Sequence, residues 1–294
     1  MHLAIHNWMK VEPLETTLAR IARLGYDAIE LQGEPDKYDT RTVRRLLDEH
    51  GLRCWGSVTL MLGERNLLAR DEAQRARSID YVKACVTMVS ELGGEVLSVV
   101  PGTVGKIVSD GTPEQEWGWA VEALKEIYNH ARKRSVRLAI EPINRFETYF
   151  INRVAQALAL AEAVGPECGV CVDVFHMNIE EADTFAALKA AGDRIANVHV
   201  ADNNRMAPGM GWFDWPRLID AVRATGYDGA LSVEFSPPLD RTPANPYPDA
   251  TDPDPEHVSP AERKFLEDHG SSVISERFYT MLTRRSIETL RPLI

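Results

Sequence analysis

The chain has few cysteines, no long apolar run and no excess of positive charge. Its net charge of −11 argues against binding to a phosphate backbone, which requires clustered Lys and Arg. No apolar stretch approaches the roughly 20 residues of a membrane span. The start of the chain, Met1–His6, lacks the basic region and apolar core of a signal peptide. We therefore expect a cytoplasmic protein that binds neither nucleic acid nor membranes.

The four cysteines are too few for a disulfide framework and fit a reducing compartment. Cys168 and Cys171 have C-x-x-C spacing, but no second pair accompanies them and Cys171 lies within an apolar run. We therefore interpret the cysteines as buried thiols rather than as zinc ligands or a redox pair.

Short apolar runs alternate with amphipathic stretches along the chain, and runs that are apolar throughout are typical of parallel strands buried on both faces. The predicted strands lie near Leu3–Asn7, Ala28–Leu31, Arg53–Ser57, Val96–Val100, Arg137–Glu141, Gly169–Asp173, Ile195–Val200 and Ala230–Phe235. The predicted helices lie near Glu12–Leu24, Thr40–Glu49, Asp71–Leu92, Pro113–Arg134, Arg153–Val164, Glu180–Ala191, Trp215–Thr225 and Pro260–Leu290, the last being one helix or two. This alternation predicts an α/β fold, a single (β/α)8 TIM barrel over residues 1–294.

Four of the apolar runs, all in the second half of the chain, end on side chains that can bind a metal ion. These residues are Glu141, Asp173, His199 and Glu234. Because parallel strands of a barrel end at one rim, we expect the four side chains to meet there. Three carboxylates and one histidine suit a divalent cation, and the lack of cysteine disfavours thiolate-bound zinc. Each acid taken alone could instead cap the next helix or pair with an arginine.

The strand ends lie within four longer stretches: Glu141-Pro-Ile-Asn-Arg-Phe-Glu147, Asp173-Val-Phe-His-Met-Asn-Ile-Glu-Glu181, His199-Val-Ala-Asp-Asn-Asn-Arg205 with Gly209-Met-Gly211, and Val233-Glu234-Phe235. These stretches resemble the D-tagatose/D-psicose (allulose) 3-epimerase family of sugar isomerases and epimerases, within the xylose-isomerase-like TIM-barrel superfamily. Their order and intervals agree over roughly 141–235, whereas the first half of the chain agrees only in layout.

The resemblance implies that Glu141, Asp173, His199 and Glu234 hold one divalent ion, Mn²⁺ first, with Mg²⁺ or Co²⁺ as alternatives. It also implies that Glu147, His176 and Arg205 bind sugar oxygens beside the carbonyl. Removal of a proton next to a carbonyl places negative charge on oxygen, and a metal ion stabilises the resulting ene-diolate. Two catalytic carboxylates on opposite sides of the substrate, Glu141 and Glu234, can then remove and return the proton.

Other roles for the second set of residues stay open on the sequence alone. Arg205 could form a surface salt bridge with Asp202 or Asp214, and Glu147 could cap the helix that begins near Asn152. Several further side chains near the predicted strand tops are candidates for the pocket wall or have no assigned role. These are Trp8, Trp55, Trp212, Phe175, Tyr149, His6 and Glu30.

A proline-rich segment, residues 236–256, follows the eighth strand and has no periodic pattern. A loop this long is uncommon within a compact domain unless it has a function. Because it leaves the barrel on the catalytic face, we predict an extended strap over the pocket mouth or at an interface. We expect Leu239 and Tyr247 to be its apolar anchors, in a homo-oligomer or in a hetero-oligomer with a smaller subunit.

The leading functional hypothesis is a metal-dependent enzyme that enolises a keto sugar, most simply a ketose 3-epimerase or isomerase. The alternative is the catalytic subunit of a C-glycoside deglycosidase, which resembles the same barrel and works with a smaller partner chain. In that lyase, proton abstraction from a 3-oxo C-glycoside is followed by elimination. A metal-dependent endonuclease would need more histidine ligands and a basic groove, and a non-catalytic sugar-binding barrel would not need both glutamates at the metal.

Overall fold

Eight parallel strands close into a barrel in a computed structural model of the chain. The structure describes residues 1–238, 240, 242–251, 260, 263–264 and 274–294. The strands are β1 (His2–His6), β2 (Ala28–Gly33), β3 (Arg53–Thr59), β4 (Val96–Val99), β5 (Arg137–Ile140), β6 (Gly169–Asp173), β7 (Ile195–Val200) and β8 (Ala230–Val233). They pair in chain order, and β8 returns to pair with β1, with Leu3 opposite Leu231. The TIM barrel predicted from the sequence is confirmed.

Helices follow the strands and cover the outside of the barrel. They are α1 (Leu14–Leu24), α2 (Thr40–His50), α3 (Glu72–Glu91), α4 (Pro113–Arg132), α5 (Val154–Val164), α6 (Val174–Glu180), α7 (Thr184–Ala191), α8 (Trp215–Ala224) and α9 (Glu276–Leu290). Of the predicted stretch Pro260–Leu290, the described residues outside α9 include Pro260, Arg263 and Lys264, which have helical backbone. Within the described part of the chain, no helix has the length and apolarity needed to cross a membrane.

Local sequence signals explain where most of the helices begin and end. The Asp39 carboxylate accepts a hydrogen bond from the backbone N–H of Thr42 at the start of α2, a contact that typically contributes about 1 kcal/mol. Thr112 and Gln115 form a reciprocal capping box at the start of α4. Gly25 ends α1 with φ of 91°, in the left-handed region that glycine enters without a steric penalty. Helix α6 was not predicted, because it begins directly after the strand-end residue Asp173.

The barrel interior has an apolar layer that separates its two ends. One residue from each strand forms a buried cluster: Ala4, Ala28, Trp55, Val96, Ala139, Cys171, Ala196 and Ala230. The single large side chain, Trp55, fills the space that seven smaller residues leave, which maintains close packing. Trp55 also lines a cavity of about 600 Å³ at the amino-terminal ends of the strands, together with Arg53, Arg137 and Gly229. The prediction that Trp55 lies near the strand tops is therefore wrong.

All four cysteines are buried and unpaired. Cys171 belongs to the interior layer, and Cys168 is fully buried just before β6. The interpretation of the C-x-x-C pair as buried thiols agrees with this placement.

The described part of the proline-rich segment packs on the start of α9. The Tyr247 ring lies 5.1 Å from the Phe278 ring, centroid to centroid. The backbone N–H of Ser275 donates to the Ala250 carbonyl at 2.9 Å, and Thr251 forms a bridge with Ile274. Tyr247 thus has an apolar partner, whereas Leu239 lies outside the described residues. A position over the pocket mouth or at an interface stays a prediction.

We predict that Gly56→Ala will destabilise the barrel. A Cβ atom at this position in β3 would lie 2.2 Å from the Val96 carbonyl oxygen of β4, so the paired strands would have to shift. Overpacking of this kind costs about 1–3 kcal/mol. The matched control is Gly118→Ala in α4, where no described atom outside the helix's own backbone lies within 4 Å of the added Cβ and the helix gains propensity. Urea unfolding gives the free energy of unfolding of both variants. Equal values would contradict the close approach of β3 and β4 at Gly56.

Candidate active site

The four metal-ligand candidates converge at the carboxyl ends of the strands. Glu141 and Glu234 directly follow β5 and β8, Asp173 is the last residue of β6, and His199 lies in β7. One ligand atom from each lies within 4.8 Å of the others, and all four residues are buried. The His199 Nδ1 atom is 2.9 Å from Glu141 Oε1 and 3.2 Å from Glu234 Oε2. The structure therefore brings together the whole set predicted from the strand ends.

This cluster has the composition of a divalent-cation site. It presents three carboxylates and one imidazole in a buried setting, where unneutralised negative charge is costly. Carboxylate oxygens with one histidine nitrogen suit Mn²⁺ or Mg²⁺ better than a thiophilic ion. Cys171 lies close enough to Glu141 and His199 to form a second ligand combination. Its thiol is held in the protonated form, because burial raises the pKa of Cys171 above its ordinary value.

The shared environment shifts the protonation of each group in the cluster. Burial raises the pKa of Glu141 and of Asp173. Burial opposes protonation of His199, but the carboxylates of Glu141, Glu30 and Glu234 raise the pKa of His199 well above its ordinary value. Burial also opposes ionisation of Glu234, yet His6 and His199 hold the pKa of Glu234 well below its usual range. Without a cation, His199 therefore carries a proton on both ring nitrogens at neutral pH.

The residues predicted to bind sugar oxygens also lie together. Arg205 donates from its Nη1 atom to Glu147 Oε1 at 2.7 Å, and its guanidinium lies 4.9 Å from the centroid of the Phe175 ring. The His176 Nε2 atom is 3.6 Å from Asp173 Oδ2, which joins this group to the metal-ligand candidates. Arg205 therefore has Glu147 as its ion-pair partner, rather than the surface salt bridge that the sequence left open.

A side chain that the sequence analysis did not single out links this group. Asn144 donates from Nδ2 to Glu147 Oε1 at 2.8 Å, and Nδ2 also lies 2.8 Å from His176 Nδ1. The backbone N–H of Asn144 points at the same His176 nitrogen, 3.2 Å away. Because two donors face Nδ1, the proton of neutral His176 is on Nε2, the nitrogen that faces Asp173. Asn144 falls within the stretch 141–147, but nothing in its residue type indicated this role.

The backbone at Arg205 forms an unusual turn beside the site. Arg205 has φ of 60°, a left-handed conformation that is uncommon for a residue other than glycine and costs about 1–3 kcal/mol. The backbone N–H of Ser236 donates to the Arg205 carbonyl at 2.8 Å and holds this turn.

Trp8 donates from Nε1 to Glu234 Oε1 at 2.8 Å. The sequence indicated Trp8 only as a wall residue, whereas the structure shows that it orients a carboxylate.

A closed parallel barrel with an acidic cluster and one histidine at its carboxyl-terminal rim defines a class of α/β-barrel proteins with a candidate metal centre. Comparison with protein families is more specific: residues 18–269 match the model of the xylose isomerase-like TIM barrel. The chain belongs to this family.

Relatives of known activity cover most of the chain. An L-ribulose 3-epimerase from Mesorhizobium japonicum is 31% identical over 223 residues, which are 75% of each protein. A 3-dehydro-D-guloside 4-epimerase from Escherichia coli is 27% identical over 73% of this chain and 84% of the relative. The crystal structure of a D-allulose 3-epimerase from Methylomonas sp. in complex with D-allulose superposes with a TM-score of 0.83 at 23% identity, covering 100% of this chain and 97% of that one. This last likeness shows the shared fold.

We predict that the affinity for Mn²⁺ will rise with pH. A cation must displace a proton from His199, whose pKa is raised well above its ordinary value. Each displaced proton weakens binding by about tenfold for every pH unit below the pKa of its group. Calorimetric titration between about pH 6 and pH 8, in two buffers of different ionisation enthalpy, measures both the dissociation constant and the protons released. A dissociation constant for Mn²⁺ that does not change with pH, without proton release, would contradict this prediction.

Proposed function

We propose that the protein is a metal-dependent sugar epimerase that inverts the carbon beside the carbonyl of a keto sugar, most simply a ketose 3-epimerase. The observation that carries the proposal is the placement of Glu141 and Glu234, which reach one imidazole from different strands. Inversion needs one group to remove a proton and another to return it on the opposite face. The relatives named as sugar 3-epimerases and a 4-epimerase support the same reaction type.

One divalent ion would be held by Glu141, Asp173, His199 and Glu234, with Mn²⁺ our first choice and Mg²⁺ or Co²⁺ the alternatives. When bound, such an ion supplies positive charge that stabilises the negative charge developing on substrate oxygens. The acidic donor set and the retained protons of the cluster support this assignment.

The two catalytic glutamates differ in their readiness to accept a proton. Glu234 has a lowered pKa and is fixed by the Trp8 indole, so it is ionised and oriented to accept a proton from the substrate. Burial raises the pKa of Glu141, so this carboxyl is the better proton donor of the two. A pair whose environments separate their pKa values is suited to acid and base roles. In the reverse direction the roles exchange.

The remaining polar residues are placed to hold the substrate beside these groups. Arg205 offers fixed donors to a developing oxyanion, and Glu147 holds its guanidinium in place. His176 presents an N–H from Nε2 close to Asp173, a position from which it can donate to a sugar hydroxyl or carbonyl oxygen. Together they would fix the carbonyl and a neighbouring hydroxyl while the carbon is deprotonated.

The elimination alternative shares its first step with epimerisation. A 3-oxo C-glycoside would lose a proton to the same carboxylates and then expel its aglycone. The relatives compared above are epimerases, including one that acts on an oxidised glycoside, and no contact among the described residues favours expulsion of an aglycone. Epimerisation is therefore the reaction we propose, with either a free ketose or an oxidised glycoside as the substrate.

Direct turnover assays separate these substrates. Mn²⁺-loaded protein is incubated with free ketoses, with a 3-oxo O-glycoside and with a 3-oxo C-glycoside, and the products are followed by NMR. Formation of an epimer is the expected result. Release of an aglycone from the C-glycoside without any epimer would replace the proposal with the lyase.

We predict that Glu141→Gln and Glu234→Gln will each lower turnover by about 10²–10⁴-fold, the usual contribution of a general acid or base. Either variant should still exchange the substrate proton with deuterium from D₂O in one epimer, because one carboxylate remains. Mn²⁺ affinity is measured alongside, since both residues belong to the ligand set. The control is Glu49→Gln on the surface of α2. Normal turnover with intact metal binding would remove that glutamate from the mechanism.

The setting of the enzyme is also part of the proposal. We propose a cytoplasmic location, supported by four unpaired thiols, and an assembly of identical chains or one with a smaller subunit. The segment 236–256 would form an extended strap over the pocket mouth or against a second chain. The contact of Tyr247 with Phe278 supports an ordered path for its described part.

Replacing residues 240–255 with a short Gly-Ser linker should change either substrate choice or assembly while sparing Mn²⁺ binding. The proline-rich segment loses little entropy when it docks, whereas a flexible linker would not hold one path. Light scattering gives the mass in solution, and kcat/KM for two substrates gives the selectivity. A variant with unchanged mass and unchanged kcat/KM would show that the strap has neither role.

A further inference from the structure

We infer that Glu30, held by Asn197 and Trp55, is a positioning residue that turns the Nδ1 atom of His199 toward the metal. The inference rests on the proposed metal centre and adds a layer of residues beneath it. None of these three side chains is among the four ligand candidates, and they come from three other positions in the barrel, on β2, β7 and β3.

Glu30 is a fully buried carboxylate in the barrel interior. It accepts hydrogen bonds from Asn197, whose Nδ2 lies 2.9 and 3.0 Å from the two carboxylate oxygens. His199 Nε2 lies 3.2 Å from Oε1, and His6 Nε2 lies 3.6 Å from Oε2. A carboxylate this deeply buried is costly unless hydrogen-bonded partners surround it. Its position between two imidazoles and an amide is therefore a specific arrangement.

The two nitrogens of His199 face different partners. Nδ1 faces Glu141 and Glu234. Nε2 faces Glu30 and also lies 3.0 Å from Asn197 Nδ2, whose two hydrogens can be accepted by Glu30 and Ser98. A histidine ligand offers the lone pair of one nitrogen to the metal and usually donates the other N–H to a carboxylate or carbonyl. An ionised carboxylate can only accept, so when a cation displaces one of the two imidazole protons, Glu30 would keep the other on Nε2. That tautomer leaves the Nδ1 lone pair for the cation.

The Asn197 side chain connects Glu30 to Trp55, which belongs to the apolar layer of the barrel. Its Oδ1 atom accepts a hydrogen bond from the Trp55 indole N–H at 2.9 Å, which fixes which end of the amide is oxygen. The NH₂ group consequently points at Glu30 and also lies 2.9 Å from Ser98 Oγ. Trp55 therefore fills the apolar layer and also sets the orientation of the polar group above it.

The His6 ring restricts rotation of the His199 imidazole. The His6 ring meets it edge-on, with the centroids 4.6 Å apart and an interplanar angle of 88°. Rotation of the imidazole away from the ligand cluster would therefore require His6 to move as well. Glu30 controls the tautomer, and His6 limits the ring orientation.

The test is Mn²⁺ affinity of Glu30→Gln in the full chain, measured by calorimetry without substrate. Because removal of such a partner typically costs 10–100-fold in metal affinity, we expect a dissociation constant about 10–100 times that of the unmodified protein. The matched control is Glu116→Gln, another buried glutamate, which accepts from the Asp110 N–H and the Tyr149 hydroxyl. Unchanged affinity in Glu30→Gln would overturn the inference.

A second variant guards against a folding defect in the first. Trp55→Phe keeps an aromatic ring in the apolar layer but removes the N–H that orients Asn197, and a several-fold loss of affinity is expected. In Mg²⁺-loaded protein with ¹⁵N-labelled histidine, the NMR spectrum should show the His199 proton on Nε2. In Glu30→Gln, this proton should leave Nε2 or be distributed over both ring nitrogens. A proton on Nδ1 in the unmodified protein would contradict the inference.

These measurements also separate this inference from the proposed function. Absence of divalent-ion binding in the unmodified protein would remove the metal centre and the positioning role together. Tight binding that weakens in Glu30→Gln, with no turnover of any keto sugar, would support the positioning role while rejecting the epimerase. The Glu30→Asp variant retains the charge, and partial recovery of affinity relative to Glu30→Gln is expected.

Discussion

The rest of the upper barrel depends on one constraint, the burial of three carboxylates around the imidazole of His199. Like charges this close, removed from water, repel each other strongly unless positive charge lies among them. The raised pKa values of Glu141 and Asp173 and the raised pKa of His199 are the response of the cluster when only protons are available. A divalent cation would supply the same positive charge, which is why the cluster is a candidate metal site.

The barrel can contain such a cluster because its interior is layered. At the amino-terminal end, Trp55 and seven smaller residues form an apolar layer that excludes solvent from below. Above it, polar side chains such as Asn197 and Glu30 satisfy one another before the ligand cluster begins. The outer shell of helices and strands forms a separate apolar core that stabilises the fold. The packing of this core offsets the cost of burying the polar layers.

Much of the fold and of the cluster could be predicted from the sequence, because both follow from local patterns. Apolar runs indicated the strands, and the residue at the end of each run must lie at the common rim of a parallel barrel. Glu30 and Asn197 were not predicted as partners, because they lie on β2 and β7 and meet only across the barrel interior. Trp55 was misplaced because an aromatic residue in a strand does not reveal its height in the barrel. Helix α6 was missed since Asp173 ends a strand and caps a helix at once.

The two halves of the chain contribute different residues to the site, and this explains why the family resemblance lies in the second half. The ligand candidates all follow or belong to β5–β8, so the motifs that contain them fall within 141–235. The first half contributes side chains that hold those groups in place: Trp8 on Glu234 and Glu30 on His199. Positioning residues need only a donor or acceptor at the right point, so they form no contiguous motif in the sequence. Chemistry in the second half and orientation from the first half together require a closed barrel, since only closure places β1 beside β8.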